Sequence, residues 1–159
     1  MIDSETFRDA MRSWATGVSI ISTRTPTARH GMTVNSFTSV SLEPSLILVC
    51  VQNNLRMLGL IQEAKAFAIS VLRADQMELS NRFAGRSTEN ADRFEGLPTR
   101  TAITGSPILA EALAYFDCAL EAAHPAGTHT IFVARVLAAG RTEGEPLVYW
   151  NRDYRKLML

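Results

Sequence analysis

Phe7, Ala10, Met11 and Trp14 recur at i, i+3, i+4 and i+7, the spacing of one apolar stripe along a helix. Asp3 or Ser4 stands where a cap accepts from the free amides of the first turn. Gly17 is expected to stop this helix, and the stripe puts Trp14 in the core beneath it. The pattern then changes period. Val18–Thr23 is rich in β-branched residues and reads as a strand, Pro26-Thr27-Ala28-Arg29 as a turn, and a second strand should begin near His30. Leu46–Gln52 is apolar at successive positions, which predicts a central strand buried on both faces.

Asn53 or Asn54 is positioned to cap a short helix carrying Leu55, Leu58 and Ile61, and Phe67–Leu72 reads as another strand. Asp75 and Glu78 have capping-box spacing and open a helix through Leu79 and Phe83, which Gly85 ends. Residues 86–107 look irregular and polar. Leu113–Ala122 and Thr130–Ala139 read as strands joined by the turn Pro125-Ala126-Gly127. Glu143-Gly144-Glu145-Pro146 then leads to a last strand, Leu147–Trp150. Strands outnumber helices and are not regularly separated by them. That favours a β-rich α+β fold, a barrel with peripheral helices, over a doubly wound parallel sheet.

At 159 residues the chain is expected to be one domain, 1–159. Lys+Arg and Asp+Glu are both 16, a formal net charge of zero, so no basic excess points to nucleic acid. The longest apolar run, Leu46–Val51, falls far short of the ~20 residues of a spanning helix. The N-terminus is acidic and lacks an apolar stretch, so neither membrane nor secretion is expected, and a cytoplasmic location is. Cys50 and Cys118 stand far apart in apolar surroundings and read as buried, reduced thiols. His124 and His129 have no thiol or carboxylate at ligand spacing, so no metal site is expected. Dinucleotide and phosphate-loop glycine motifs, a nucleophile elbow and a zincin motif are all missing.

One segment is unusual for a core strand: Gly31-Met32-Thr33-Val34-Asn35-Ser36-Phe37-Thr38-Ser39-Val40-Ser41. Extended, it shows Thr33, Asn35, Phe37, Ser39 and Ser41 on one face and Val34, Ser36, Thr38 and Val40 on the other. Polar groups thus occupy both faces, and each costs roughly 1–3 kcal/mol if buried without a partner. The partners are either neighbouring backbone or a ligand rich in donors and acceptors.

With its flanks, His30-Gly31 and Leu42-Glu43-Pro44, this block resembles the flavin reductase-like family, the short reductase components of two-component flavin-dependent monooxygenases. Further matches, in order along nearly the whole chain, are Phe7-Arg8…Trp14-Ala15-Thr16-Gly17-Val18, Leu48-Val49-Cys50-Val51, Phe67-Ala68-Ile69-Ser70-Val71-Leu72, Arg82-Phe83-Ala84-Gly85, Asp92-Arg93-Phe94-Glu95-Gly96, His129-Thr130-Ile131-Phe132-Val133 and Pro146-Leu147-Val148-Tyr149.

The resemblance implies an FMN-binding split barrel, a homodimer, and reduction of FMN or FAD by NADH or NADPH. Reduced flavin would pass to an oxygenase partner. It also implies that Thr33, Asn35 and Ser36 line the isoalloxazine, and that Ser39, Val40 and Ser41 approach the flavin side chain and phosphate. Cys50, Val51 and Gln52 would contact ring or ribityl chain, and Arg82 and Phe83 the phosphate and dinucleotide end. His129 would stand beside the nicotinamide as the catalytic residue, with Tyr154 and Arg155 near that pocket. Such a site needs no strong nucleophile, because the cofactors carry the hydride chemistry. Thr128 and Ala134 depart from the Asp and Gly common in the family, and Trp14 from its usual Phe. The other readings are a flavin- or haem-binding split-barrel carrier or sensor without turnover and, for His129, a hairpin histidine satisfied by backbone.

Overall fold

Residues 1–85 and 92–157 are described by a computed structural model. Its elements run α1 (Ser4–Met11), β1 (Thr16–Gly17), β2 (Ser19–Arg24), β3 (Arg29–Val34), β4 (Thr38–Leu42), β5 (Ser45–Gln52), α2 (Arg56–Ala64), β6 (Ala66–Val71) and α3 (Met77–Phe83). They continue with β7 (Thr99–Arg100), β8 (Ile108–Leu109), β9 (Ala114–Ala126), β10 (His129–Arg141), β11 (Val148–Trp150) and β12 (Asp153–Arg155).

Seven strands form one antiparallel sheet in the order β3-β2-β6-β9-β10-β5-β4. Its two edge strands, β3 and β4, are consecutive in the chain, separated by Asn35, Ser36 and Phe37. Laid flat, the edges would stand roughly 29 Å apart at ~4.8 Å per strand. The four steps from Val34 to Thr38 reach about 14 Å at most. The sheet must therefore roll up, leaving a seam where β3 and β4 face each other unpaired: a split barrel.

Inside the barrel lie Ile21, Val34, Val49, Val51, Phe67, Ile69, Cys118 and Phe132, capped by Met57 and Ile61 of α2. A second core joins Val18, Ile20, Leu72, Phe83, Phe94 and Leu147 under α3 and the small sheet β1-β11-β12. Because Ile20 and Ile21 point into different cores, β2 is the strand buried on both faces, with β6 beside it. The sequence assigned that role to Leu46–Gln52. Instead β5 lies next to the edge strand, and its burial alternates, with Ile47, Val49 and Val51 inside and Leu46, Leu48 and Cys50 half-buried.

Three more expectations change. The run Gly31–Ser41 is not one strand, because it breaks at Asn35–Phe37 to cross the seam. Asp3 does cap α1, accepting from Glu5 N at 3.0 Å and Thr6 N at 2.9 Å, but no residue of α1 is buried. Trp14 is 68% exposed rather than core. Neither later helix uses the predicted cap. Leu55 precedes α2 and Gln76 precedes α3, each without a side-chain cap bond. Gln76 is held elsewhere, accepting from Arg73 N and donating to Glu111 O. The strand β12 was not foreseen, and within 86–107, residues 86–91 lie outside the described residues.

Gly31 marks where β3 meets the second core. A Cβ there would stand 2.7 Å from the Phe83 ring and 2.8 Å from that of Phe94, both buried and packed edge-to-face. Gly31→Ala is expected to destabilise by about 1–3 kcal/mol through overpacking. At ~2–4 °C per kcal/mol the melting temperature should drop measurably in a thermal scan, and an unchanged value would contradict this close approach.

Candidate functional site

Where β3 and β4 part, β5 loses its strand neighbour, and a side chain takes over. Ser36 Oγ donates to Cys50 O at 3.0 Å and accepts from Cys50 N at 3.1 Å, replacing a ladder rung on that side of β5. Beside this clamp opens a cleft of about 200 Å³. It is lined by Met32, Thr33 and Val34 from β3, Asn35 and Ser36 from the crossing, Cys50 and Gln52 from β5, Leu55, and His129 from β10. Three stretches distant in sequence meet because His129 pairs with Gln52 in the β10–β5 register.

The Asn35 and Gln52 carboxamides bond to no other described residue, and both residues are exposed. His129 Nδ1 lies 2.9 Å from Thr128 Oγ1, leaving the other ring nitrogen free among the described residues. Thr33 is already committed, its hydroxyl donating to Ser80 O at 2.6 Å. The cleft thus combines polar groups of Asn35, Gln52 and His129 with apolar surface of Met32, Cys50 and Leu55. That donor set fits a planar heteroaromatic ring with a polar edge, such as a flavin.

Two larger clefts adjoin it. One, of about 860 Å³, shares Asn35 and Ser36 and is walled by Phe7, Met11 and Trp14 of the N-terminal segment. On its wall Thr16 Oγ1 and Arg12 Nε are buried without a partner among the described residues. The other, of about 610 Å³, shares Met32, Thr33 and Leu55 and gathers Arg29, His30, Arg56 and Arg93. Arg29 Nε donates to Asp92 at 3.0 Å, and Arg93 Nη1 donates to Gly31 O and Phe83 O. Burial, with the nearby Arg93 and Arg56 charges, pushes His30 down to about 4, so it is neutral at pH 7.

A family model for the flavin reductase like domain matches residues 11–158. This chain belongs to that family. The family member is 42% identical over 147 residues to the FMN reductase (NADH) SmoA of Agrobacterium fabrum, covering 92% of this chain and 82% of that protein. It is 37% identical to the reductase component of 4-hydroxyphenylacetate 3-monooxygenase of Thermus thermophilus, covering 97% of each. Among solved structures, the Streptomyces globisporus NADH:FAD oxidoreductase SgcE6 in complex with NAD and FAD fragments superposes with a TM-score of 0.90. The two share 31% identity over 99% of this chain and 96% of that one.

Of the residues expected at a flavin reductase site, Thr33, Asn35, Ser36, Cys50, Gln52 and His129 line the one small cleft. Val51 has no exposed surface and packs inside the barrel, because alternation turns it away from Cys50 and Gln52. Ser39, Val40 and Ser41 lie on β4 beyond the seam, Ser39 opposite Ile47 and Ser41 opposite Leu46, and line none of these three clefts. Phe83 is fully buried and contributes only to the wall of the arginine-rich cleft. Arg82 lies in a separate hollow with Glu78, its guanidinium donating to Glu95 O at 2.5 Å. Tyr154 OH donates to Ser80 Oγ at 2.8 Å and its ring packs on Tyr149, which ties β12 to α3. Arg155 is exposed and pairs with Asp153.

Of the two cysteines, Cys118 is buried, its thiol pushed up to about 12 by burial and the adjacent Asp117, while Cys50 is half-buried in the cleft wall. Sequence reasoning missed Met32, Leu55 and the group His30, Arg56 and Arg93. Met32, His30 and Arg93 stand in the matched motif blocks, which offered a signal, whereas Leu55 and Arg56 reach the clefts only through the fold.

Ser36→Ala removes both bonds to Cys50 and strands a part-buried amide and carbonyl, so a loss of about 1–3 kcal/mol in denaturant unfolding is expected. Wild-type stability there would break the assignment of Ser36 as the seam clamp. His30 binds its proton more weakly folded than unfolded, where it titrates near 6.5. The unfolded chain therefore takes up more protons between about pH 4 and 6.5, and stability falls as pH drops through that window. His30→Gln should flatten this part of the fall in melting temperature, whereas equal slopes in both proteins would contradict it.

Proposed function

We propose that this chain is a flavin reductase that uses NADH to reduce FMN or FAD and passes the reduced flavin to an oxygenase component. The observation that carries the reading is the seam cleft, where Asn35, Gln52 and His129 offer hydrogen bonds beside the apolar surface of Met32, Cys50 and Leu55. Family membership, and relatives named NADH-dependent flavin reductases and monooxygenase reductase components, support it.

When bound, the flavin supplies a two-electron acceptor and NADH the hydride, so the protein's task is placement and charge. Asn35 and Gln52 hydrogen-bond the polar edge of the ring and set its orientation. The apolar surface of Met32, Cys50 and Leu55 would pack against its faces. His129, at the exposed rim of the cleft, would donate a hydrogen bond from the free side of its imidazole to the edge where negative charge grows on reduction. The arginine-rich cleft receives the phosphate end, Arg56 there having no salt-bridge partner among the described residues. Phe83 and Tyr154 act from behind the site, Phe83 packing against β3 at Gly31 and Tyr154 bonding Ser80, whose carbonyl accepts from Thr33. Ser39, Val40, Ser41 and Arg82 take no part in this reading, and NADPH is compared with NADH as the hydride donor.

The working unit in this reading is a single domain, cytoplasmic and homodimeric. Phe7, Met11, Trp14, Val40 and Leu42 are exposed in the single chain, apolar surface that a second copy would cover in this reading. Among the described residues no helix is long and apolar enough to cross a membrane.

The test is NADH or NADPH oxidation by the purified protein with FMN or FAD, followed at the nicotinamide absorbance band. Turnover with at least one pairing is expected. Bound flavin without oxidation of either dinucleotide would favour the carrier reading. Asn35→Ala should weaken flavin binding about tenfold by fluorescence quenching, one lost hydrogen bond's worth. His129→Ala should slow hydride transfer by about tenfold or more with a smaller change in flavin affinity. The reverse order of effects would move His129 off the nicotinamide side.

A further inference from the structure

The outer end of the β9–β10 hairpin has no core to rest on, since every residue from Ala123 to His129 is exposed. Besides the strand pairing of His129 and Thr130, it is held by polar bonds to a single residue. Asn53 N donates to Thr128 O at 3.0 Å, Asn53 Nδ2 donates to Gly127 O at 3.2 Å, and Asn53 Oδ1 accepts from Thr130 Oγ1 at 2.9 Å. These bonds grip three of the four residues from Gly127 to Thr130, and Gly127 takes the positive φ of +60° that the turn needs. The one residue of the four that Asn53 leaves untouched is His129, which lines the cleft.

Thr128 Oγ1 then stands 2.9 Å from His129 Nδ1 and has no other partner among the described residues. Neutral imidazole carries its proton on one nitrogen only, and a hydroxyl at Nδ1 either donates to that nitrogen, leaving the proton on Nε2, or accepts from it. No residue lining the cleft is acidic.

We infer that Asn53 and Thr128 are positioning residues for His129. Asn53 locks the hairpin turn at the cleft rim, and the Thr128 hydroxyl donates to Nδ1, leaving the proton on Nε2 as a hydrogen-bond donor to the cleft's ligand. This rests on reading the cleft as the flavin and nicotinamide site, but the tautomer and the turn can be measured without turnover.

In ¹⁵N spectra of ligand-free protein, His129 should show one neutral tautomer with the proton on Nε2. Thr128→Val should give a mixture and Thr128→Ser should restore the single form. A proton on Nδ1 in the wild type, or identical spectra for wild type and Thr128→Val, overturns the Thr128 role. Asn53→Ala should speed amide hydrogen exchange in residues 126–130 and leave the rest of the barrel strands unchanged. Unaltered exchange there overturns the Asn53 role.

In stopped-flow flavin reduction, Thr128→Val should slow hydride transfer about tenfold with flavin affinity within about twofold, and Thr128→Ser should recover it. On a His129→Ala background, Thr128→Val should have no further effect, because the two act as a unit. Additive losses would mean Thr128 does not act through His129. If His129→Ala alone leaves the rate unchanged, the proposed catalytic role of His129 fails, while the spectra and exchange still decide the positioning.

Discussion

Everything about the site follows from how the barrel closes. Two strands at opposite edges of a seven-stranded sheet are joined by three residues, and such a link cannot span an open sheet. Rolling brings β3 and β4 face to face but does not pair them. The unpaired edge of β5 is met by one hydroxyl, Ser36 Oγ, which both donates to and accepts from the backbone of Cys50. A side chain in place of a strand fills far less space. The room left over is the cleft.

A seam of this kind is chemically useful because it exposes what a sheet normally consumes. Asn35 sits in the crossing between β3 and β4, Gln52 is the last residue of β5, and neither carboxamide bonds another described residue. Neighbouring hydroxyls are spent, Thr33 on Ser80 O and Ser36 on Cys50. The polar run in the sequence therefore divides its labour. Hydroxyls tie the barrel to α3 and across the seam, and carboxamides face outward with bonding capacity to spare. The same seam turns Gly31 into a packing requirement, because β3 must lie against Phe83 and Phe94 for Thr33 to reach Ser80.

The β-rich barrel and most strands are legible in the sequence, because β-branched periodicity and turn residues report directly on local backbone. What periodicity cannot report is which face meets what. Trp14 lies on a helical apolar stripe that reads as core, yet α1 buries nothing within this chain, so the stripe records a surface and not its cover. Leu46–Gln52 looks buried on both faces, but the two-sided burial belongs to β2, which mixes serine and threonine with isoleucine and hides them by bonding Ser22 and Thr23 to carbonyls of neighbouring segments. Asn53 reads as a helix cap because it precedes α2. Its real partners are 74 and 77 residues away on the hairpin, a distance no local pattern encodes. The small cleft was legible at Thr33, Asn35, Ser36, Cys50, Gln52 and His129 through motif resemblance, whereas Ser39, Val40 and Ser41 followed them in sequence but not in space, since the chain crosses the seam between the two groups.

The charge balance acquires a local meaning once the clefts are placed. A chain of zero net charge nonetheless gathers Arg29, Arg56 and Arg93 around one hollow, and the cluster is tempered from within. Arg29 is paired with Asp92, Arg93 is turned onto the carbonyls of Gly31 and Phe83, and His30 is held neutral by burial and by the nearby Arg93 and Arg56 charges. An anion arriving there meets Arg56, which has no salt-bridge partner among the described residues, beside Arg29 and Arg93, whose charges are already partly answered by the protein. Attraction remains, but full desolvated pairing, the kind that fixes a ligand for good, is withheld. In the proposed reaction the reduced flavin must leave for a partner, so a phosphate hold of moderate strength serves turnover better than a tight one. The same logic suits the small cleft, where neutral carboxamides and an imidazole orient a ring by direction rather than by charge.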